Sequence, residues 1–157
     1  MSGKSRSVLL AAVAALAGCS NAPAVACDVP AGDLSGFEIT ITTGSNATDA
    51  DIFFCVERFS DASRDCTMLG ETGVDDWDVG SIGTYRVSTS VMAGDLAGVA
   101  LENRGDAPDL SFDGNDWELD GVRLVADTEA GGRLVFEESD LRFGMTAGDR
   151  WEPSCFF

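Results

Sequence analysis

An all-β antiparallel sandwich is the fold this sequence predicts, and three observations predict it. Short apolar runs, several alternating with period two, recur along the chain. Gly, Asp, Asn and Ser break them about every ten residues, the spacing expected of strands joined by tight turns. No segment keeps a helical apolar period over three turns. The strands follow in order. Phe37, Ile39 and Ile41 alternate with Glu38 and Thr40. Residues 52–59 are apolar and aromatic, and 67–69 form a short run. Residues 84–87 alternate, as does part of 96–101. Three further runs, 117–119, 122–125 and 134–136, complete the set. Residues 143–157 show no readable pattern. There is no internal repeat and no second domain boundary.

The N-terminus reads as an export signal. Lys4 and Arg6 give a positive start, and residues 8–17 are small and apolar. That run is too short to span a bilayer as a mature helix. It ends in Leu16, Ala17, Gly18 and Cys19, which resembles a lipobox. A lipobox needs a thiol at the first mature residue because its sulfur carries the diacylglycerol. The expected organisation is a signal peptide at 1–18, a lipidated tether at 19–33 and a sandwich domain at 34–157. Each buried CH₂ of an acyl chain contributes about 0.8 kcal/mol, so several chains on Cys19 would hold firmly. Ser20, a residue other than Asp after the cysteine, favours the outer over the inner membrane of the cell envelope, by resemblance to lipoproteins of two-membraned bacteria.

The formal net charge is −17, and it becomes −19 once Lys4 and Arg6 leave with the signal. Such a balance argues against nucleic acid as a partner and against direct attraction to anionic lipid. The acidity fits either plain solubility or cation binding. Four cysteines follow Cys19, namely Cys27, Cys55, Cys66 and Cys155. An even number in an exported chain implies two disulfides, and three pairings satisfy the count. With no CxxC and no histidine in the chain, a zinc site is not expected.

The order of motifs resembles the PLAT domain, also called the lipoxygenase-homology or LH2 domain. Residues 37–44 end in Thr43 and Gly44, and residues 47–54 run from an Ala-Thr-Asp-Ala loop into an aromatic strand. Trp77, Gly80, Ser81, Thr84 and Tyr85 follow the family's aromatic, Gly-Ser and Asp-Thr-aromatic sequence. Gly94, Leu96, Gly98 and Leu101 match its Leu-Gly strand. Trp117, Leu119, Val122 and Leu124 match its Trp-x-Leu strand. The likeness covers about residues 36–138. It implies an eight-stranded antiparallel β-sandwich, PLAT/LH2-like, of the kind found in lipoxygenases, lipases and the membrane-binding module of a bacterial alpha-toxin phospholipase. Within that order Cys55 falls in the second strand and Cys66 at the start of the third, so a hairpin would join them. Cys27 and Cys155 fall at the two ends of the domain, which are often close in space.

In calcium-binding PLAT domains the ligands sit on three loops at one end of the sandwich. Carried over by position, these loops offer Thr48 and Asp49, Asp75 and Asp76, and Asn115 and Asp116. Calcium takes six to eight oxygens from carboxylates, amides and carbonyls, which these residues can supply. The chain departs from the family at Ser45 and Asn115, where the alpha-toxin module has aspartates, and at Ala47, which replaces a loop glycine. Asp140, distant from all three motifs in sequence, is expected to be uninvolved. Trp117 matches a core tryptophan of the family.

Catalysis has little support. Without histidine no Ser-His-Asp or Cys-His arrangement can form, and neither GxSxG nor a phosphate-cradling glycine loop is present. The residues therefore point to a lipid-anchored, non-catalytic binding module with calcium as its candidate ion and a protein, lipid or apposed surface as its partner. Two other readings stand beside it: a structural envelope lipoprotein without a specific ligand, and an accessory domain that recruits a separate hydrolase.

Overall fold

The computed structural model describes residues 26–46, 50–70, 77–105, 117–155 and 157. Among them are eight strands: β1 (Asp33–Thr43), β2 (Ile52–Arg58), β3 (Arg64–Leu69), β4 (Ile82–Met92), β5 (Leu96–Asn103), β6 (Trp117–Thr128), β7 (Gly131–Met145) and β8 (Arg150–Trp151). They form two four-stranded sheets, ordered β4-β1-β6-β7 and β3-β2-β5-β8, with every pairing antiparallel. The expected eight-stranded β-sandwich is the fold of this chain.

The alternation read from the sequence is the physical cause. Side chains two residues apart share a face of a strand. Phe37, Ile39 and Ile41 of β1 are completely buried, while Glu38 and Thr40 between them and Thr42 after them are partly exposed. In the facing sheet Ile52, Phe54 and Val56 turn inward from β2. The rings of Phe37 and Phe54 meet edge to face across the gap, with centroids 5.7 Å apart.

Two elements differ from the sequence reading. The runs at 117–119 and 122–125 belong to one strand, β6. Asp120 between them lies opposite an insertion in β7, because Leu119 pairs with Phe143 while Gly121 pairs with Ser139. Residues 140–142 are thus bulged out, and Asp140 and Arg142 adopt left-handed backbone (φ 58° and 48°). The unreadable stretch 143–157 contains the end of β7 and the two-residue β8, which pairs with β5 through Trp151 and Leu101.

Cys27 is bonded to Cys155 and Cys55 to Cys66. Cys55 and Cys66 are direct partners in the β2–β3 register. Part of the segment read as a tether is held against the domain: Asp28 N–H donates to the Val135 carbonyl, beside the Cys27–Cys155 bond. Two disulfides fit a chain exported to an oxidising compartment. No helix among the described residues is long and apolar enough to cross a membrane.

Candidate functional site

Three stretches of the chain, 47–49, 71–76 and 106–116, lie outside the described residues. They contain all six candidate calcium ligands: Thr48, Asp49, Asp75, Asp76, Asn115 and Asp116. Cys19, the candidate lipidation site, also lies outside. The residues that flank the three stretches are described, and they converge at one end of the sandwich.

Trp117 organises that convergence. It opens β6 with no exposed surface, so its indole N–H needs an internal acceptor. Thr43, at the end of β1 and 1% exposed, supplies one: Nε1–H donates to Oγ1 over 3.3 Å. Trp77, at the far side of the second stretch, packs on Trp117 with ring centroids 5.1 Å apart and on Tyr85 at the same distance. Both tryptophans are therefore core residues.

The first stretch leaves from a backbone clasp. Gly44 N–H donates to the Glu118 carbonyl at 2.7 Å, and Glu118 N–H donates to the Asn46 carbonyl at 3.2 Å. Ser45 Oγ–H donates to Glu118 Oε2 at 2.6 Å. A side chain on Gly44 would collide with Glu118, its Cβ falling 2.6 Å from Oε1. Gly80, in left-handed backbone (φ 70°), donates to the carbonyls of both Thr43 and Gly44. The third stretch leaves past Asn103, which is fully buried. Its amide donates to the Met145 carbonyl, and its Oδ1 accepts Gly105 N–H at 2.9 Å. Arg104 N–H donates to the Asp51 carbonyl, tying the third departure to the return of the first.

Beside this end lies an open cleft of about 740 Å³ lined by Thr42, Thr43, Gly44, Ser45, Gly80, Glu118, Asp120, Asp140 and Arg142. Three carboxylates and one guanidinium offer acceptors and a planar donor fork to a polar ligand. Asp140, expected to be remote, is part of this lining. The β7 bulge puts it there, and its sequence position carries no sign of that. Glu118 and Asp120 did leave a sign, as the polar alternation either side of Leu119.

The turn into β8 is fixed by Asp149. Its carboxylate accepts hydrogen bonds from Thr146 N–H (2.8 Å) and Thr146 Oγ–H (2.9 Å). These bonds, the backbone one foremost, hold its pKa below the ordinary carboxylate value. Cys55, Cys66 and Glu102 stand close enough to suggest a metal cluster, but the two sulfurs are bonded to each other and offer no thiolate.

No family model matches the chain, and no curated protein sequence matches it. Solved structures do. The alpha-toxin of Clostridium absonum superposes with a TM-score of 0.62 at 18% identity over 77% of this chain. The alpha-toxin of an avian strain of Clostridium perfringens gives 0.63 at 17% identity over 80%. A lipoxygenase variant carrying a deletion and a substitution gives 0.55 at 19% over 76%. At these identities the likeness is one of fold. The chain spans only 31%, 33% and 16% of those proteins, so most of each enzyme has no counterpart here.

Proposed function

We propose that the chain is a PLAT-like, lipid-anchored binding module of the cell envelope, held through Cys19 and without catalysis of its own. It contacts its partner through the end where the three stretches depart. Calcium is bound there by Thr48, Asp49, Asp75, Asp76, Asn115 and Asp116. The supporting observation is the convergence of the three flanks on Trp117, Thr43 and Glu118. Segments far apart in sequence and rich in Asp and Asn leave the fold at a common end, where their charges repel unless a cation relieves them. The anchor supplies attachment, which frees this end for a protein or an apposed surface.

Thermal unfolding of the purified chain in millimolar calcium against chelator, at high salt, tests the ion. Calcium should raise the midpoint, since it adds about 2.7 kcal/mol of stability at a hundredfold excess over its dissociation constant. Asp76→Ala and Asp116→Ala should remove that rise. Asp33→Ala, at the opposite end of β1, should keep it; Asp140 cannot serve as the remote control because it lines the cleft. Equal midpoints in calcium and chelator would reduce the loops to ordinary acidic turns. Cys19→Ala should release the protein from the membrane fraction.

A second reading is favoured by the partial coverage of the matched enzymes: an accessory domain that recruits a separate hydrolase. Co-purification of a hydrolase with the anchored protein would select it.

A further inference from the structure

Ile52, Phe54 and Val56 turn into the core from β2, so Phe53, Cys55 and Glu57 face outward on the second sheet. The Cys55–Cys66 bond therefore lies on that outer face, and its two sulfurs are unequal. Cys55 belongs to an inner strand and is completely buried. Cys66 is partly exposed on β3, which among the described residues pairs only with β2. Arg104 covers the Cys55 side. Its Nη2–H donates to Cys55 Sγ at 3.9 Å, and its guanidinium lies over the Phe53 ring. Arg64 and Arg150 hold Glu57, and together with Arg104 they hold Glu102. A carboxylate oxygen of Glu102 lies within 4.8 Å of both sulfurs. Glu152, which also meets Arg150, is 62% exposed and screened by solvent. In a chain of net charge −17, this face gathers three of the ten basic residues, so a thiolate formed here finds cations beside it.

We propose that the Cys55–Cys66 bond is a thiol-exchange site, at which an incoming thiolate attacks the Cys66 sulfur and Cys55 leaves as a thiolate held by Arg104. A new S–S bond forms between the incoming sulfur and Cys66. The Cys55–Cys66 bond breaks, and its electron pair stays on Cys55. The incoming thiolate is oxidised to the mixed disulfide, Cys55 is reduced, and no proton moves. The direction follows from the strand order. A thiolate approaches a disulfide sulfur in line with the bond that breaks, so access along that line decides which sulfur is attacked. Cys55 and Cys66 are direct cross-strand partners, and the bond leads from β2 out to β3. The line to Cys66 therefore comes in over the open edge of β3. The line to Cys55 comes in over β5, where Ala100 is its paired residue and Glu102 and Arg104 stand. The leaving group favours the same direction. A thiol of lower pKa departs faster, and an adjacent guanidinium lowers it. Burial of Cys55 disfavours its thiolate, and the Arg104 contact offsets that cost. The product carries its adduct on the edge strand, with Cys55 placed to reclaim Cys66 and expel it.

Exchange kinetics of the folded, oxidised chain test the site. Dithiothreitol opens the bonds, acid stops the reaction, and alkylation with peptide mapping counts the free cysteines. Arg104→Gln should slow opening of Cys55–Cys66 on the order of fivefold, and Arg104→Lys should restore most of the rate. Glu102→Gln removes the carboxylate beside both sulfurs and should speed opening on the order of threefold. The Cys27–Cys155 bond in the same sample is the reference, and its rate should not change. With excess reduced glutathione, the first adducts should sit on Cys66. Both substitutions to glutamine weaken the ion network, so simple opening of the edge strand would make both variants faster. That result would overturn the proposal. So would a bond that dithiothreitol leaves intact in the folded chain, a variant effect shared by Cys27–Cys155, or glutathione found mainly on Cys55.

Discussion

The indole N–H of Trp117 and the hydroxyl of Thr43 form a polar contact between two side chains that are both essentially without solvent exposure at the loop end of the sandwich. The bond joins the first residue of β6 to the last of β1. Thr43→Val keeps the volume and removes the acceptor, stranding a buried donor at a cost of about 1–3 kcal/mol. Thr43→Ser should cost less, because the hydroxyl remains. Denaturant unfolding of the two variants against the parent measures the difference.

The two disulfides should contribute unequally. Cys27 and Cys155 are 128 residues apart and Cys55 and Cys66 only 11. Loop-closure entropy assigns about 5 kcal/mol to the first and about 3 kcal/mol to the second. Replacing the Cys27–Cys155 pair with alanine should therefore lower the unfolding midpoint more than replacing Cys55–Cys66. A larger effect from the shorter loop would show that packing around Cys55, fully buried in β2, outweighs chain entropy.

Glu102 binds three arginines on the outer face of the second sheet: Arg64, Arg104 at 3.0 Å and Arg150 at 3.5 Å. Its side chain is 13% exposed, whereas Glu152, which meets Arg150 at 2.6 Å, is 62% exposed. Arg104 also lies over the Phe53 ring, 4.1 Å from its centroid. Glu102→Gln should cost about 1.5–3 kcal/mol, because three guanidinium groups then crowd without their shared anion. Glu152→Gln should change stability by less than about 1 kcal/mol and only at low salt. Urea titrations at two ionic strengths separate them.

Acid should loosen two turns. The pKa of Asp149 is lowered by Thr146, and that of Asp61 by the side chain and then the backbone amide of Ser63. A carboxylate with a depressed folded pKa stabilises the fold above its unfolded value of about 3.8 and loses that contribution as pH falls through the folded one. Asp149→Asn should therefore flatten the stability profile below about pH 3.8 and leave its shape near neutrality unchanged, as read from melting midpoints across an acid series.

Much of the architecture was legible because one face of each sheet is buried and the other is wet. That condition writes itself into the sequence as the alternation of Phe37, Ile39 and Ile41, or of Trp117 and Leu119. What stayed illegible depends on backbone. The β7 insertion sets Asp140 beside Glu118 and Asp120 through left-handed residues that are not glycine, and no local composition announces such a bulge. Ala26 and Cys27 read as tether because the segment is small, polar and Pro-containing, whereas the bond to Cys155, the bridge at Ala26 and the hydrogen bond from Asp28 to Val135 pin it to the domain. At the loop end, the sequence located the flanking residues Thr43, Gly44, Trp77 and Trp117 through aromatic and glycine positions. The role of Glu118, whose backbone and carboxylate both clasp the start of the first stretch, needed the three-dimensional register.

The Cys27–Cys155 bond also decides how the molecule carries mechanical load. A pull on the N-terminal segment reaches Cys27 before it reaches β1 at Asp33. There the force divides. One branch follows the backbone into β1 and the first sheet, and the other crosses the sulfurs to Cys155 and enters the second sheet through β8. The N-terminal segment thus has a second covalent route into the fold besides β1. The intact bond is a force splitter, and its reduction leaves β1 as the single covalent path from that segment into the strands.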